Sequence, residues 1–177
     1  MFVSRTRSVS VPVVLGIDPG LTRCGYAIVQ ADGTPELVAM GVVTTAAADD
    51  LPHRLARLQA DLADIFDQYS PTAVAIERVF FQHNTRTAMS VGQASGIVLA
   101  MAAARGCEVA QYTPSQVKNA VAGDGAADKH AMQRMVQLRF RMKTLPTPAD
   151  AADAAALAIC HIAISPFARS VAGAMAR

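Results

Sequence analysis

Asp18 closes a short apolar, β-branched run, Val13-Val14-Leu15-Gly16-Ile17, and Glu77 closes a second, Thr72-Ala73-Val74-Ala75-Ile76. Both runs read as buried strands, each ending in an acid. Asp150 and Asp153 stand three residues apart at the start of an Ala-rich stretch that reads as a helix, so they share a face. Four carboxylates in one crevice repel and raise one another's pKa unless a cation compensates. Hard oxygen donors in this number suit Mg²⁺ or Mn²⁺. Two such ions, roughly 3.5–4 Å apart, are the recurring arrangement for in-line attack on a phosphodiester: one activates water and the other stabilises the leaving 3′ oxygen.

Each acid also has a plainer reading. Asp18 and Glu77 are each acceptable as polar strand ends or turn formers. Thr147 as N-cap, Pro148 at the first helical position and Asp150 at the third resemble a capping box, and Asp150 also suits the helix dipole. Asp153 lies a turn further in, followed by Ala154-Ala155-Ala156, where capping explains less. No Cys/His cluster suggests zinc: His53, His83, His130 and His161 are scattered, and His161 is expected to pack or cap within its Ala-rich helix.

The elements that must position these acids follow from periodicity. Pro19-Gly20 breaks the first strand. Gly25 to Val29 reads as a second strand, Asp32-Gly33 as a hairpin signal, and Leu37 to Thr45 as a third strand. Leu51, Leu55, Leu58, Leu62, Ile65 and Tyr69 recur at helical spacing. After the strand that ends at Glu77, residues 85–104 form a helix rich in small residues, in which Gly92, Ser95 and Gly96 would admit another backbone. Glu108 to Tyr112 is a fifth strand and Pro114 to Val121 a short helix. Residues 128–143 form a helix with Ala131, Met135, Leu138 and Met142 on one stripe. Pro146-Thr147-Pro148 breaks the chain before a last helix at 149–164. This order predicts an α/β fold: a five-stranded mixed sheet, three antiparallel meander strands plus two parallel strands reached by right-handed crossovers, with helices on both faces. Ligands gather at the carboxyl ends of strands in such sheets, so Asp18 and Glu77 would face one crevice. Residues 1–11 read as an unstructured polar leader, 12–166 as a single domain and 167–177 as a C-terminal tail.

Composition bounds the rest. The chain has 177 residues, 52% of them hydrophobic and 17% charged, enough for one core and too apolar for a disordered chain. The longest apolar run, residues 97–104, is far short of the ~18–20 that span a bilayer, and no signal peptide opens the chain. Cys24, Cys107 and Cys160, odd in number and widely spaced, fit a reducing cytosol rather than a disulfide framework. The net charge of +2 does not advertise a nucleic-acid partner, but the charges are segregated. Seven of the 14 acids lie between Asp32 and Asp67, and residues 78–107 and 129–149 contain none.

Taken in order, Leu15-Gly16-Ile17-Asp18-Pro19-Gly20, Gly25-Tyr26, Ala75-Ile76-Glu77-Arg78-Val79-Phe80, Gly92-Gln93-Ala94-Ser95-Gly96, Gln116-Val117-Lys118 and Asp150-Ala151-Ala152-Asp153-Ala154 resemble the RuvC family of Holliday junction resolvases. The likeness runs from about residue 12 to about 166. It implies a ribonuclease-H-like fold, a homodimer and a Mg²⁺-dependent endodeoxyribonuclease. Such an enzyme makes two symmetric nicks in strands of like polarity across a four-way DNA junction, leaving 5′-phosphate and 3′-hydroxyl ends, in cytoplasmic recombination and repair. It also implies a branch-migration complex as partner and no membrane. The family's catalytic carboxylates and ligands for two Mg²⁺ ions, with Mn²⁺ able to substitute, fall on Asp18, Glu77, Asp150 and Asp153. Some members carry His where this chain has Asp150.

Phe80 matches the family's base-stacking Phe, and Lys118 and Lys129 match basic positions near the DNA. The residues themselves agree. Arg78 to Arg86 carries two aromatics beside the expected metal site, and an aromatic stacked on an unpaired base contributes roughly 1–3 kcal/mol. Of Phe80 and Phe81, Phe80 is expected to face DNA. Arg86, Arg134 and Arg141 complete the expected DNA contacts, the last two on the helix face opposite the apolar stripe. Family members often have Lys or Arg where this chain has His83.

The helix at 85–104, free of acids, is the candidate dimer face, matching the two-fold symmetry of a junction. A nuclease acting on RNA–DNA hybrids is the nearest rival, and would need no dimer. A sugar-kinase-like ATPase needs two duplicated domains, too many for 177 residues, and a non-enzymatic junction binder would lack at least one of the four acids. Two divalent cations on those acids would lift the effective charge from +2 to about +6.

Overall fold

The computed structural model describes residues 11–79 and 85–165; residues 1–10 of the expected leader, the expected tail and the aromatic segment at 80–84 lie outside the described residues. In chain order the elements are β1 (Val13–Asp18), β2 (Arg23–Gln30), β3 (Glu36–Thr44), α1 (Leu51–Tyr69), β4 (Ala73–Glu77), α2 (Thr85–Ala104), β5 (Glu108–Tyr112), α3 (Pro114–Ala122), α4 (Lys129–Arg139) and α5 (Ala149–Ile164). The strands form one sheet in the order β3-β2-β1-β4-β5. β1–β2 and β2–β3 are antiparallel, while β1–β4 and β4–β5 are parallel, as the sequence predicts. Among the described residues no helix is long and apolar enough to cross a membrane.

Successive strand residues point to opposite faces, so each strand divides its side chains between two cores. On one face Leu15, Ile17, Ile28, Val74 and Ile76 pack with Leu58, Leu62 and Phe66 of α1 and Ala94 and Val98 of α2. On the other face Val14, Ala27, Val29, Ala73 and Ala75 pack with α5, and α3 and α4 lie over α5 through Val117, Val121, Met132 and Val136. α5 is therefore covered by the sheet beneath and helices above. Residues 154–161 are all buried, as expected of a helix apolar on every side.

Small residues set how low α5 sits. A Cβ on Gly16 of β1 would fall 2.0 Å from the carbonyl oxygen of Ala154, and one on Gly25 of β2 would fall 2.1 Å from that of Asp150. Both glycines are needed because helix backbone occupies the place of a side chain. The alanines of α5 complete the fit from the other side. The period-2 rule also places Asp18, Glu77, Arg23 and Gly25 on this same α5 face, since Val14, Ala75 and Ala27 belong to it.

One helix differs from expectation. α4 ends at Arg139 rather than running to 143. Arg141 adopts a left-handed conformation (φ 52°), its N–H donates to Leu138 O, and the N–H of Met142 donates to Gln137 O. This is a Schellman motif built without the glycine that usually marks it. Phe140 leaves the helix axis to pack against the α5-side core. The inward stripe centres on Met132 and Val136, with Ala131 and Met135 partly buried against the same core, while Leu138, expected inside, is 65% exposed. Arg134 and Arg141 do not share a helix face, because Arg141 lies beyond the helix.

Replacing Gly16 by Ala should lift α5 off β1. We expect a loss of about 1–3 kcal/mol, the usual cost of overpacking, read as a lower urea midpoint with an unchanged slope.

Candidate active site

The turn after β1 is held from several directions. The Thr45 hydroxyl donates to Leu21 O (2.6 Å), and the Thr45 N–H donates to Thr22 O (3.2 Å). Arg54 of α1 donates from Nε to Thr45 Oγ1 (3.0 Å) and from Nη2 to Thr22 Oγ1 (2.6 Å). Asp18 therefore leaves β1 into a fixed turn. Glu77 ends β4 beside it: the parallel register pairs Ile17 with Ile76, and the two strands end at Asp18 and Glu77. The N–H of Arg78 then donates to Tyr112 O at the end of β5 (2.8 Å).

α5 brings the other two acids. Its N-cap position is Pro148, without a side-chain capping bond, and Asp150 is its second residue. The capping box expected from Thr147 is not formed. Instead Asp150 Oδ2 accepts a hydrogen bond from Nε of Arg23 on β2 (2.8 Å) and forms an ion pair with its Nη2 (2.7 Å). One turn on, Asp153 Oδ2 pairs with Nζ of Lys129, the first residue of α4 (3.1 Å).

Burial pushes the Asp18 carboxyl up to about 7, helped by the charges of Glu77, Asp153 and Asp150 and offset in part by Lys129. Burial and then Asp153 raise Glu77. The hydrogen bond to Asp153 and its charge raise Lys129. Each of the four acids thus acts electrostatically on another across the same crevice. The donor set is hard oxygen carrying excess negative charge, which fits a divalent cation that prefers oxygen. Among the described residues no three Asp, Glu, His or Cys side chains surround a single point closely enough to hold an ion. Asp150 and Asp153 are drawn onto Arg23 and Lys129 instead. Beside the acids lies a cavity of about 220 Å³, lined by Glu77, Asp153, Lys118 and Lys129 over an apolar floor that includes Val117 and Met132.

Of the expected DNA contacts, Lys129 pairs with Asp153, and Lys118 lines the cavity beside Glu77 and Asp153. Arg134 is exposed on α4. Arg141 lines a different cavity with Thr34 to Leu37, next to the β2–β3 hairpin, at the end of the sheet opposite Asp18. Arg86 falls in the first turn of α2, and Phe80 lies outside the described residues. His161 is fully buried and its Nδ1 meets the Tyr112 hydroxyl at 2.9 Å, a packing role. Cys24 and Cys160 are buried thiols pushed up to about 12, too high to react as thiolates. Sequence reasoning missed Arg23. The available signal was its place two residues before Gly25 on one strand, which puts both on the face that receives α5.

The sign of the Asp18 shift gives a test. A folded-state pKa raised above the unfolded value means that this stability is present at low pH and lost as pH rises from 3.8 toward about 7. Without divalent cations, the melting temperature should fall across that window. Asp18→Asn should flatten the fall and melt a few degrees higher at pH 8, and Mg²⁺ should raise the wild type more than the variant. Parallel pH profiles for the two proteins would remove Asp18 as the source.

Comparison with known proteins gives the family and supports the fold. The sequence model of the family described as "Crossover junction endodeoxyribonuclease RuvC" matches residues 14–161. A protein of that name from Thermobifida fusca is 52% identical over 151 residues, 84% of this chain and 83% of its own. One from Roseiflexus is 48% identical over 158 residues, 89% and 94% of the two chains. Among solved structures, T. thermophilus RuvC in complex with a Holliday junction substrate superposes with a TM-score of 0.82 at 37% identity, covering 90% of this chain and 96% of that one. The yeast mitochondrial Holliday junction resolvase, at 15% identity, shares the fold with a TM-score of 0.62 over 88% and 81% of the two chains. The sheet order, the carboxylates and these matches place the fold as ribonuclease-H-like, and the chain belongs to the RuvC family of crossover junction endodeoxyribonucleases.

Proposed function

We propose that this chain resolves Holliday junctions by two symmetric nicks in strands of like polarity, leaving 5′-phosphate and 3′-hydroxyl ends, in homologous recombination and DNA repair in the cytoplasm. The observation that carries this reading is the gathering of Asp18, Glu77, Asp150 and Asp153 at the carboxyl end of the sheet, with Asp18 pushed up to about 7 by burial and by the other three. Family membership supports the junction as substrate.

Asp18 and Glu77 are fixed by strands, and Asp150 and Asp153 by a helix packed between the sheet and α3 and α4, so the backbone positions of the four acids are set by regular elements. These four residues would hold two Mg²⁺ ions, for which Mn²⁺ would substitute, and the ions would supply an activated water and a stabilised 3′ leaving oxygen. Lys118 and Lys129, on the cavity wall beside Glu77 and Asp153, would receive phosphate oxygens. Phe80 follows Glu77 by three residues and would stack on a base unpaired at the crossover. Arg86 and Arg134 would add phosphate contacts, and binding would weaken steeply with salt.

Two nicks require two sites, so the reading includes a homodimer. The outward side of α2 supports it: nothing lies within 4 Å of a Cβ built on Gly92 or Gly96, and Met89 is 63% exposed. A branch-migration complex of the same pathway would deliver the junction.

The test is a synthetic four-way junction against linear duplex, with and without Mg²⁺ or Mn²⁺, with nick positions mapped. We expect metal-dependent paired nicks in the junction alone. Asp18→Asn should abolish cutting while junction binding survives, and Phe80→Ala should impair cutting more than binding. Junction cleavage at wild-type rate by Asp18→Asn, or full activity from a strict monomer in sedimentation, would overturn the reading.

A further inference from the structure

The chemistry above leaves Arg23 without a role, yet its geometry is specific. Two of its nitrogens converge on one oxygen, Oδ2 of Asp150: Nε donates a hydrogen bond at 2.8 Å and Nη2 lies 2.7 Å away. A fork-to-fork pair would engage both carboxylate oxygens. Here Oδ1 stays outside the pair. The two side chains are 48% and 30% exposed, so the pair contributes little to folding stability.

The surroundings nevertheless fix it closely. The turn that leads into Arg23 is pinned through Leu21, Thr22, Thr45 and Arg54. Two residues on, Gly25 seats the first turn of α5 against β2 at the backbone of Asp150 itself. Asp150 makes no capping bond, so Arg23 is what orients its carboxylate. A precisely held but weakly stabilising ion pair at the edge of a carboxylate cluster matches the partner that usually orients a metal ligand.

We propose that Arg23 is a positioning residue: by holding Oδ2 of Asp150 it presents Oδ1 to the divalent cation of the site. This rests on the reading of Asp150 as a metal ligand. Asp153 has its own cation in Lys129, so the two α5 acids are oriented from opposite sides, one by the sheet and one by α4.

The experiment is a Mn²⁺ titration of the full-length protein without DNA, following free Mn²⁺ by electron paramagnetic resonance. Arg23→Gln should raise the half-saturating Mn²⁺ of one site about tenfold, the usual effect of losing such a partner, and Arg23→Lys should recover part of it. Asp150→Asn should give a comparable shift, and the double variant no more than either alone. The melting temperature of metal-free Arg23→Gln should stay close to wild type, which separates positioning from a structural role. In junction cleavage the same variant should need about tenfold more metal and approach the wild-type rate at saturation. Unchanged or tighter Mn²⁺ binding, or additive single-variant effects, would overturn the proposal. So would a loss of junction affinity in metal-free buffer with Mn²⁺ binding intact, which would make Arg23 a phosphate contact. A wild type whose Mn²⁺ binding depends on Arg23 and Asp150 but which leaves junctions uncut would refute the proposed function and leave this inference standing.

Discussion

The seating of α5 directly on β1 and β2 governs the rest of the structure. Gly16 and Gly25 surrender their side chains to helix backbone, and the alanines of α5 answer them. The consequence is distance: with ordinary side chains between sheet and helix, the α5 acids would stand further from Asp18 and Glu77. Close backbone packing converts two unrelated elements, a strand near residue 18 and a helix near residue 150, into one rigid frame. Side chains on such a frame do not drift as they would on loops.

Much of this was legible in the sequence, for physical reasons. The five strands are short β-branched or apolar runs bounded by turn residues, and the local signal and tertiary structure agree. The four acids were legible because Asp18 and Glu77 end strands and Asp150 and Asp153 lie within the first turns of a helix. Three features were not. α4 stops at a Schellman turn whose left-handed residue is Arg141 rather than glycine, so no local mark announced the end. The Asp150 cap failed because Arg23, 127 residues away, offers its carboxylate a stronger partner than the helix N-terminus does. Gly16 and Gly25 read as parts of strands and turns, since their close approach to α5 depends on a helix encoded far downstream.

The charge pattern shows how a folded chain tolerates a cluster of like charges. Asp18 and Glu77 are held by strands and respond by binding protons more tightly. Asp150 and Asp153, on a helix with neighbours on both sides, each take a cation. Concentrated negative charge destabilises the fold locally, a cost commonly retained where function requires it. The modest net charge of the chain conceals this arrangement.

The long separation between the two halves of the site also orders events during synthesis. The meander β1–β3 and its Asp18 leave the ribosome early, while α5 is among the last described elements to emerge. Until α5 docks, the face of the sheet that carries Asp18 and Glu77 is bare, and half the carboxylates have not been made. Contacts of such sequence separation form late in folding. A chain that lacks α5 is therefore unable to assemble the four-acid cluster, which comes together only when α5 docks on the sheet.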